Sequence, residues 1–223
     1  MNASTSRPGA AGSLVRSALL DAAAVLLPVR CAGCSAPDRS VCPACARSLT
    51  PQDRNRTVAG FTVFSSLDYV DVPRAVLLAY KDAGRVDVAP ALAGALRRAV
   101  IAASAGRPVV PVLIPSTRAA WRRRGYHPTG MVLARSRLLL PPLWRALRLA
   151  RQTADQAVLS SSERERNREG SLVASSRVAG RRCLLVDDIV TTGATLAEAA
   201  RAIASAGGEV AGAATIAQTP RRR

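Results

Sequence analysis

Residues 183–196 read Cys-Leu-Leu-Val-Asp-Asp-Ile-Val-Thr-Thr-Gly-Ala-Thr-Leu, and three kinds of local structure follow one another along them. The apolar run from Cys183 to Val186 has the composition of a buried strand that ends on two adjacent carboxylates, Asp187 and Asp188. Residues 196–206 are rich in Ala with no breaker until Gly207 and Gly208, which predicts a helix. Between them, Thr191, Thr192, Gly193, Ala194 and Thr195 place small and hydroxyl-bearing residues at the start of that helix. The first N–H groups of a helix have no partner within it, and its dipole favours negative charge there, so the loop is an anion site. The two carboxylates repel a phosphate, but they accept hydrogen bonds from sugar hydroxyls or help hold Mg²⁺ through water. A sugar flanked by phosphates and a metal fits both halves. The plainer alternative is a strand, a turn and a Thr-capped helix, which leaves two repelling carboxylates without a purpose.

Asp187 to Thr195 resembles the motif with which type I phosphoribosyltransferases bind 5-phosphoribosyl-1-pyrophosphate (PRPP). The resemblance implies that Asp187 and Asp188 meet the ribose hydroxyls while the loop Thr191, Thr192, Gly193, Ala194, Thr195 cradles the 5′-phosphate. It does not name the acceptor.

Four of the five cysteines, Cys31, Cys34, Cys42 and Cys45, are spaced C-x2-C-x7-C-x2-C. Two such knuckles offer four thiolates, a tetrahedral set that structural Zn²⁺ prefers. The same ligands suit an iron–sulfur cluster, and two disulfides are the other alternative in an oxidising compartment. Cys183 stands apart in the apolar strand and reads as a small apolar residue.

At 223 residues the chain has room for one substantial α/β domain and a small appendage. Only 3% of it is aromatic, so the core is built from Ala, Val and Leu. The net charge is +17, carried by 32 basic residues of which only Lys81 is a lysine, and this favours phosphate-bearing partners. Scarce aromatics weaken the case for stacking a single strand of nucleic acid.

Elsewhere strands and helices alternate. Residues 58–70 predict β structure, with a hairpin as one option. Residues 72–83, 86–104 and 129–139 predict helices, and 108–114 and 209–216 predict buried strands. Such alternation implies a parallel sheet with its site at the carboxyl ends of the strands. The expected division is a tail and amphipathic helix over 1–27, the four-cysteine knuckle over 28–50, a linker over 51–57 and the main domain over 58–223. The apolar stretch 19–29 is interrupted by Asp21 and is too short to span a bilayer, so the expectation is a cytoplasmic protein without a membrane span.

Three polar segments fit one site. The expected loop after the 108–114 strand carries Arg118, Arg122, Arg123 and Arg124, whose forked donors suit a diphosphate; a solvated basic helix face is the alternative. Residues 151–167 fit a lid, and their tail fits a surface helix capped by Ser160 and Glu163. Lys81 closes a helix before Gly84, where it serves either a ligand or the helix dipole.

The order of these segments is similar to that of the ComF family. It runs from four cysteines through Tyr-Lys-x-x-Gly-Arg (80–85), Arg-Arg-Gly-Tyr (123–126), Gln-Thr-x-x-Gln (152–156) and Glu-Arg-x-x-Asn (163–167) to the PRPP motif, with His127 where Asn is usual. That resemblance implies a type I phosphoribosyltransferase-like parallel sheet flanked by helices, a zinc-binding N-terminal segment and a link to DNA uptake in natural competence. It implies Mg²⁺-dependent PRPP binding with Asp187 and Asp188 as the catalytic pair. Lys81, Arg122 and Arg124 would face PRPP with the 191–195 loop, and the phosphoribosyl group would pass to an unidentified acceptor. The rival reading is a PRPP-responsive module that binds single-stranded DNA or other DNA-uptake proteins and makes no product.

Overall fold

The computed structural model describes residues 29–138, 140–150 and 170–220. The expected N-terminal tail and helix, and the expected lid with its Ser160–Glu163 cap, lie outside the described residues. Among those residues the chain runs through helix α1 (Pro43–Ser48), strands β1 (Arg54–Val58) and β2 (Phe61–Asp68), helices α2 (Asp71–Lys81) and α3 (Ala89–Ser104) and strand β3 (Val110–Leu113). Helices α4 (Arg118–Arg124) and α5 (Pro128–Arg135) follow, then strands β4 (Leu147–Leu149), β5 (Leu172–Ala174) and β6 (Arg182–Val190), helix α6 (Ala194–Ser205) and strand β7 (Glu209–Gln218). Five strands form a sheet in the order β1-β2-β7-β6-β3, parallel throughout except for β1.

Strand β6 sits inside this sheet because it has apolar side chains for both faces. Leu184 and Val186 pack among Leu77, Leu92, Leu96 and Leu133 from α2, α3 and α5. Cys183 and Leu185 pack on the other side with Leu196, Ala199 and Ile203 of α6. A strand buried on both faces shows a continuous apolar run, which is what residues 183–186 display.

Several expectations about elements need correction. Strand β6 does not end on the carboxylates but continues to Val190, because β7 pairs beside it as far as Val190 with Gln218. On its other edge β3 stops at Leu113 opposite Val186. Asp187 and Asp188 therefore lie where one neighbour strand has ended and the other has not. The arginines expected in a loop stand on α4, which Thr117 caps by accepting from Ala120 N at 3.2 Å and Gly125 ends at φ +73°. The stretch read as linker contains β1, joined to β2 by Ala59 and Gly60, both with positive φ as a two-residue hairpin turn requires. Its polar residues are those of an edge strand, with Arg54 in a 2.6 Å ion pair with Asp68.

Helix α5 ends at Arg135, earlier than the expected 139; the Ser136 hydroxyl donates to Leu133 O and Arg137 turns at φ +58°. Strands β4 and β5 form a small antiparallel ribbon that the sequence does not announce. Buried Glu198 holds it to α6, accepting from Leu172 N at 3.0 Å and from the Arg201 guanidinium.

Candidate functional site

Where β3 stops short, a cavity of about 420 Å³ opens beside the end of β6, and Asp187, Asp188, Thr191, Lys81 and Arg124 line it. Lys81 comes from the last turn of α2, and its Nζ lies 2.9 Å from Asp188 Oδ2. Burial works against this ammonium, but Asp188 and then Asp187 outweigh it and raise Lys81 above its ordinary value. Asp187 accepts from the N–H of Asp188 at 2.8 Å. Burial, followed by the Asp188 carboxylate beside it, pushes Asp187 up to about 8. Two adjacent carboxylates with one ammonium between them leave the site short of positive charge, a donor set that suits Mg²⁺ or a polyhydroxyl ligand.

Thr191 continues the cavity into the turn before α6. Among the described residues the N-cap Gly193 offers no capping side chain to α6 and no acid stands in the first turn, so the N-terminus keeps its positive character. Thr192 Oγ1 accepts from Ala194 N at 3.3 Å, and Gly193 turns at φ +89°. A Cβ on Gly193 would come within 2.6 Å of Val58 Cγ2, so the turn packs directly on the β1–β2 hairpin. Arg56 on β1 fixes the same turn. Its Nη1 donates to Thr191 O at 2.7 Å, its Nε donates to Gln218 Oε1 at 3.1 Å, and its remaining guanidinium nitrogen donates to Thr219 O. Neither Arg56 nor Val58 is suggested by the motif, because both come from far upstream in the chain.

The structure separates two arginines that the sequence placed together. Arg124 lines the carboxylate cavity, with Nε donating to Lys81 O at 2.6 Å and Nη2 3.3 Å from Asp82 Oδ1. Arg122 lines a second, neighbouring cleft. Two residues apart on a helix is about 200° of rotation, so the pair cannot face one cavity. Tyr80 and Tyr126 brace this region: the Tyr80 hydroxyl donates to Pro128 O at 2.8 Å and that of Tyr126 to Tyr80 O at 3.0 Å. His127 caps α5, Nδ1 accepting from Gly130 N at 3.2 Å while Nε2 lies 3.0 Å from Ile114 O. With Nδ1 accepting, Nε2 carries the proton and donates, so the ring is neutral and its work is structural. Burial lowers its pKa, in keeping with that state.

The four cysteines form the other cluster. The Sγ atoms of Cys31, Cys34, Cys42 and Cys45 lie within 4.8 Å of one another, and all five cysteines are free thiols. A tetrahedron with Zn–S bonds of about 2.3 Å has sulfur–sulfur edges of about 3.8 Å, so the set fits a metal ion of this kind. Burial alone would raise Cys31, but N–H groups of Cys42 and Gly33, at 3.3 and 3.4 Å from its sulfur, help bring it down to about 6. Burial and the neighbouring thiols push Cys45 up. Gly33 leaves room for the cluster, since a Cβ there would stand 2.7 Å from Cys45 Sγ. The knuckle is tied to the body by Arg85, whose Nη1 donates to Arg30 O at 3.0 Å.

Residues 132–223 match the phosphoribosyl transferase domain family, a stretch that holds β6, α6 and β7. The chain is also 28% identical over 191 residues to DNA utilization protein YhgH of Escherichia coli (strain K12), covering 77% of this chain and 81% of that protein. The ComF-like order of segments agrees with both findings and with the four-cysteine cluster. Among the described residues no helix is long and apolar enough to cross a membrane.

Proposed function

We propose that this ComF-like chain, which carries a phosphoribosyl transferase-type domain, binds Mg-PRPP in the carboxylate cavity and transfers its phosphoribosyl group in the service of DNA utilisation or uptake. The observation that supports it most is the convergence of Asp187, Asp188, Lys81, Arg124 and Thr191 on one cavity at the carboxyl end of β6. Asp187 and Asp188 would accept hydrogen bonds from the ribose hydroxyls. The turn Thr191 to Thr195 and the N-terminus of α6 would hold the 5′-phosphate, with Arg56 and Gly193 fixing the turn. Lys81 and Arg124 would place positive charge beside the diphosphate. Bound with PRPP, Mg²⁺ supplies further charge to that leaving group.

In the transfer, a bond forms from the acceptor atom to the anomeric carbon as the bond from that carbon to the diphosphate oxygen breaks. The diphosphate leaves with the electron pair, and the acceptor gives up its proton to water. The protein's contribution is to fix sugar and phosphate while stabilising the departing charge. In the four-cysteine cluster, Zn²⁺ bound by Cys31, Cys34, Cys42 and Cys45 would be structural.

Diphosphate release from PRPP, followed across nucleobases, nucleotides and oligonucleotides as acceptors, tests the reading. Acceptor-dependent release lost in Asp188→Asn supports transfer, and release with no acceptor dependence contradicts it. The net charge of +17 and the DNA utilisation relative favour one further reading, a PRPP-responsive single-strand binder without catalysis. Binding of single-stranded DNA that weakens steeply with salt, with no diphosphate released, would distinguish it.

A further inference from the structure

A second cleft, of about 570 Å³, lies against the carboxylate cavity and shares Pro115, Ser116 and His127 with it. Its walls hold the chain's two tryptophans, Trp121 and Trp144, and three arginines, Arg118, Arg122 and Arg145; among the described residues that line it none is acidic. Arg118, Trp121 and Arg122 are three and four positions apart on α4, so one helix face presents a guanidinium, an indole and a second guanidinium together. Across the cleft, Trp144 meets the His127 ring edge-on at 6.4 Å and packs so closely on α5 that a Cβ on Gly130 would stand 2.8 Å from its ring. Arg145 beside it has a left-handed backbone at φ +58°, unusual for a long side chain. Both indoles are about half exposed, at 49% for Trp121 and 52% for Trp144.

A chain so poor in aromatics has put both of its largest in one concave, cationic place. Among the described residues the guanidiniums of Arg118, Arg122 and Arg145 have no ion-pair or hydrogen-bond partner, in contrast to Arg54, Arg85, Arg98 and Arg124, which do. Exposed indoles beside guanidiniums that meet no carboxylate among the described residues make a surface for a ligand that is planar and anionic at once. We infer that this cleft binds a nucleotide unit, its base stacked on the indoles and its phosphate on the arginines. The unit has two possible sources, a free mononucleotide and one residue of a single-stranded nucleic acid. Lying beside the carboxylate cavity, the cleft presents this ligand to the phosphoribosyl site; that placement as an acceptor subsite rests on the proposed function, whereas the binding does not.

The two tryptophans are the only ones in the chain, so intrinsic tryptophan fluorescence reports on this cleft alone. The zinc-replete full chain is titrated with AMP and, separately, with a short oligodeoxythymidylate at low and high salt. Saturable quenching is expected, weakened about tenfold in Trp121→Leu and in the pair Arg118→Gln with Arg122→Gln. Comparable affinity for AMP and the oligonucleotide identifies a free nucleotide. Much tighter, salt-dependent binding of the oligonucleotide identifies a strand. Trp121 is half exposed on a short helix, and circular dichroism with unchanged PRPP affinity shows that its variant is folded. Quenching that survives in Asp187→Asn separates this cleft from the PRPP site. Absence of quenching by both probes in protein that binds PRPP normally overturns the assignment, and so does affinity unchanged by both sets of substitutions.

Discussion

Lys81 Nζ stands 2.9 Å from Asp188 Oδ2, and Lys81 is the only lysine in a chain with 31 arginines (32 basic residues less one). An arginine would bring a planar fork to this position. A lysine brings a compact charge on a flexible stem, able to neutralise one carboxylate and swing toward a ligand. Lys81→Gln should destabilise the protein by about 1–3 kcal/mol, because it strands Asp188, which is mostly buried. Combining it with Asp188→Asn should recover most of the loss in chemical denaturation, and strictly additive losses would argue that the pair is not coupled.

His127 supplies a pH dependence of known sign. Burial lowers its pKa in the folded chain, so the unfolded chain binds the proton more readily. Its contribution to stability is present above the unfolded value of about 6.5 and is lost as pH falls through the lower folded value. Melting temperature should therefore decline below about pH 6.5 more in the wild type than in His127→Asn, which keeps a capping acceptor for Gly130 N–H. Parallel declines would show that the imidazole is not held neutral.

Gly193 is required for two separable reasons, a backbone at φ +89° and a Val58 side chain within 2.6 Å of where its Cβ would be. Gly193→Ala should cost about 2 kcal/mol or more and weaken PRPP binding by displacing the turn. Adding Val58→Ala should return only part of the binding, since the backbone strain stays. Melting temperature and PRPP affinity read the two effects apart.

The cysteine cluster should carry one Zn²⁺ per chain by elemental analysis. Chelation should lower the melting temperature, because metal binding and folding are linked. Gly33→Ala, whose methyl would crowd Cys45 Sγ, should loosen the metal without removing a ligand. A chain that keeps its melting temperature after complete metal removal would exclude a structural role.

The sequence reveals most where residues that act together are also neighbours along it. Strand β6, its turn and helix α6 are contiguous, and so are the paired cysteines, which is why these parts could be read directly. Arg56 reaches Thr191 across 135 positions, and nothing in the polar stretch around it signals an edge strand that clamps a distant turn. Arg122 and Arg124 show the complementary failure. As loop residues they could share one diphosphate, but the helix that Thr117 caps sends them to different cavities. Trp144 joined Trp121 only through packing against Gly130 and His127, a contact that periodicity does not encode.

Calorimetric titration of zinc-replete protein with PRPP, with and without Mg²⁺, decides whether the carboxylate cavity holds Mg-PRPP. Saturable binding is expected that requires Mg²⁺ and is lost in Asp187→Asn. Asparagine keeps the acceptor for Asp188 N–H, so the loss would reflect the missing ionisable carboxyl rather than a broken loop. PRPP affinity that is unchanged by removing Mg²⁺ or by Asp187→Asn, or no binding to the wild type at all, would contradict it.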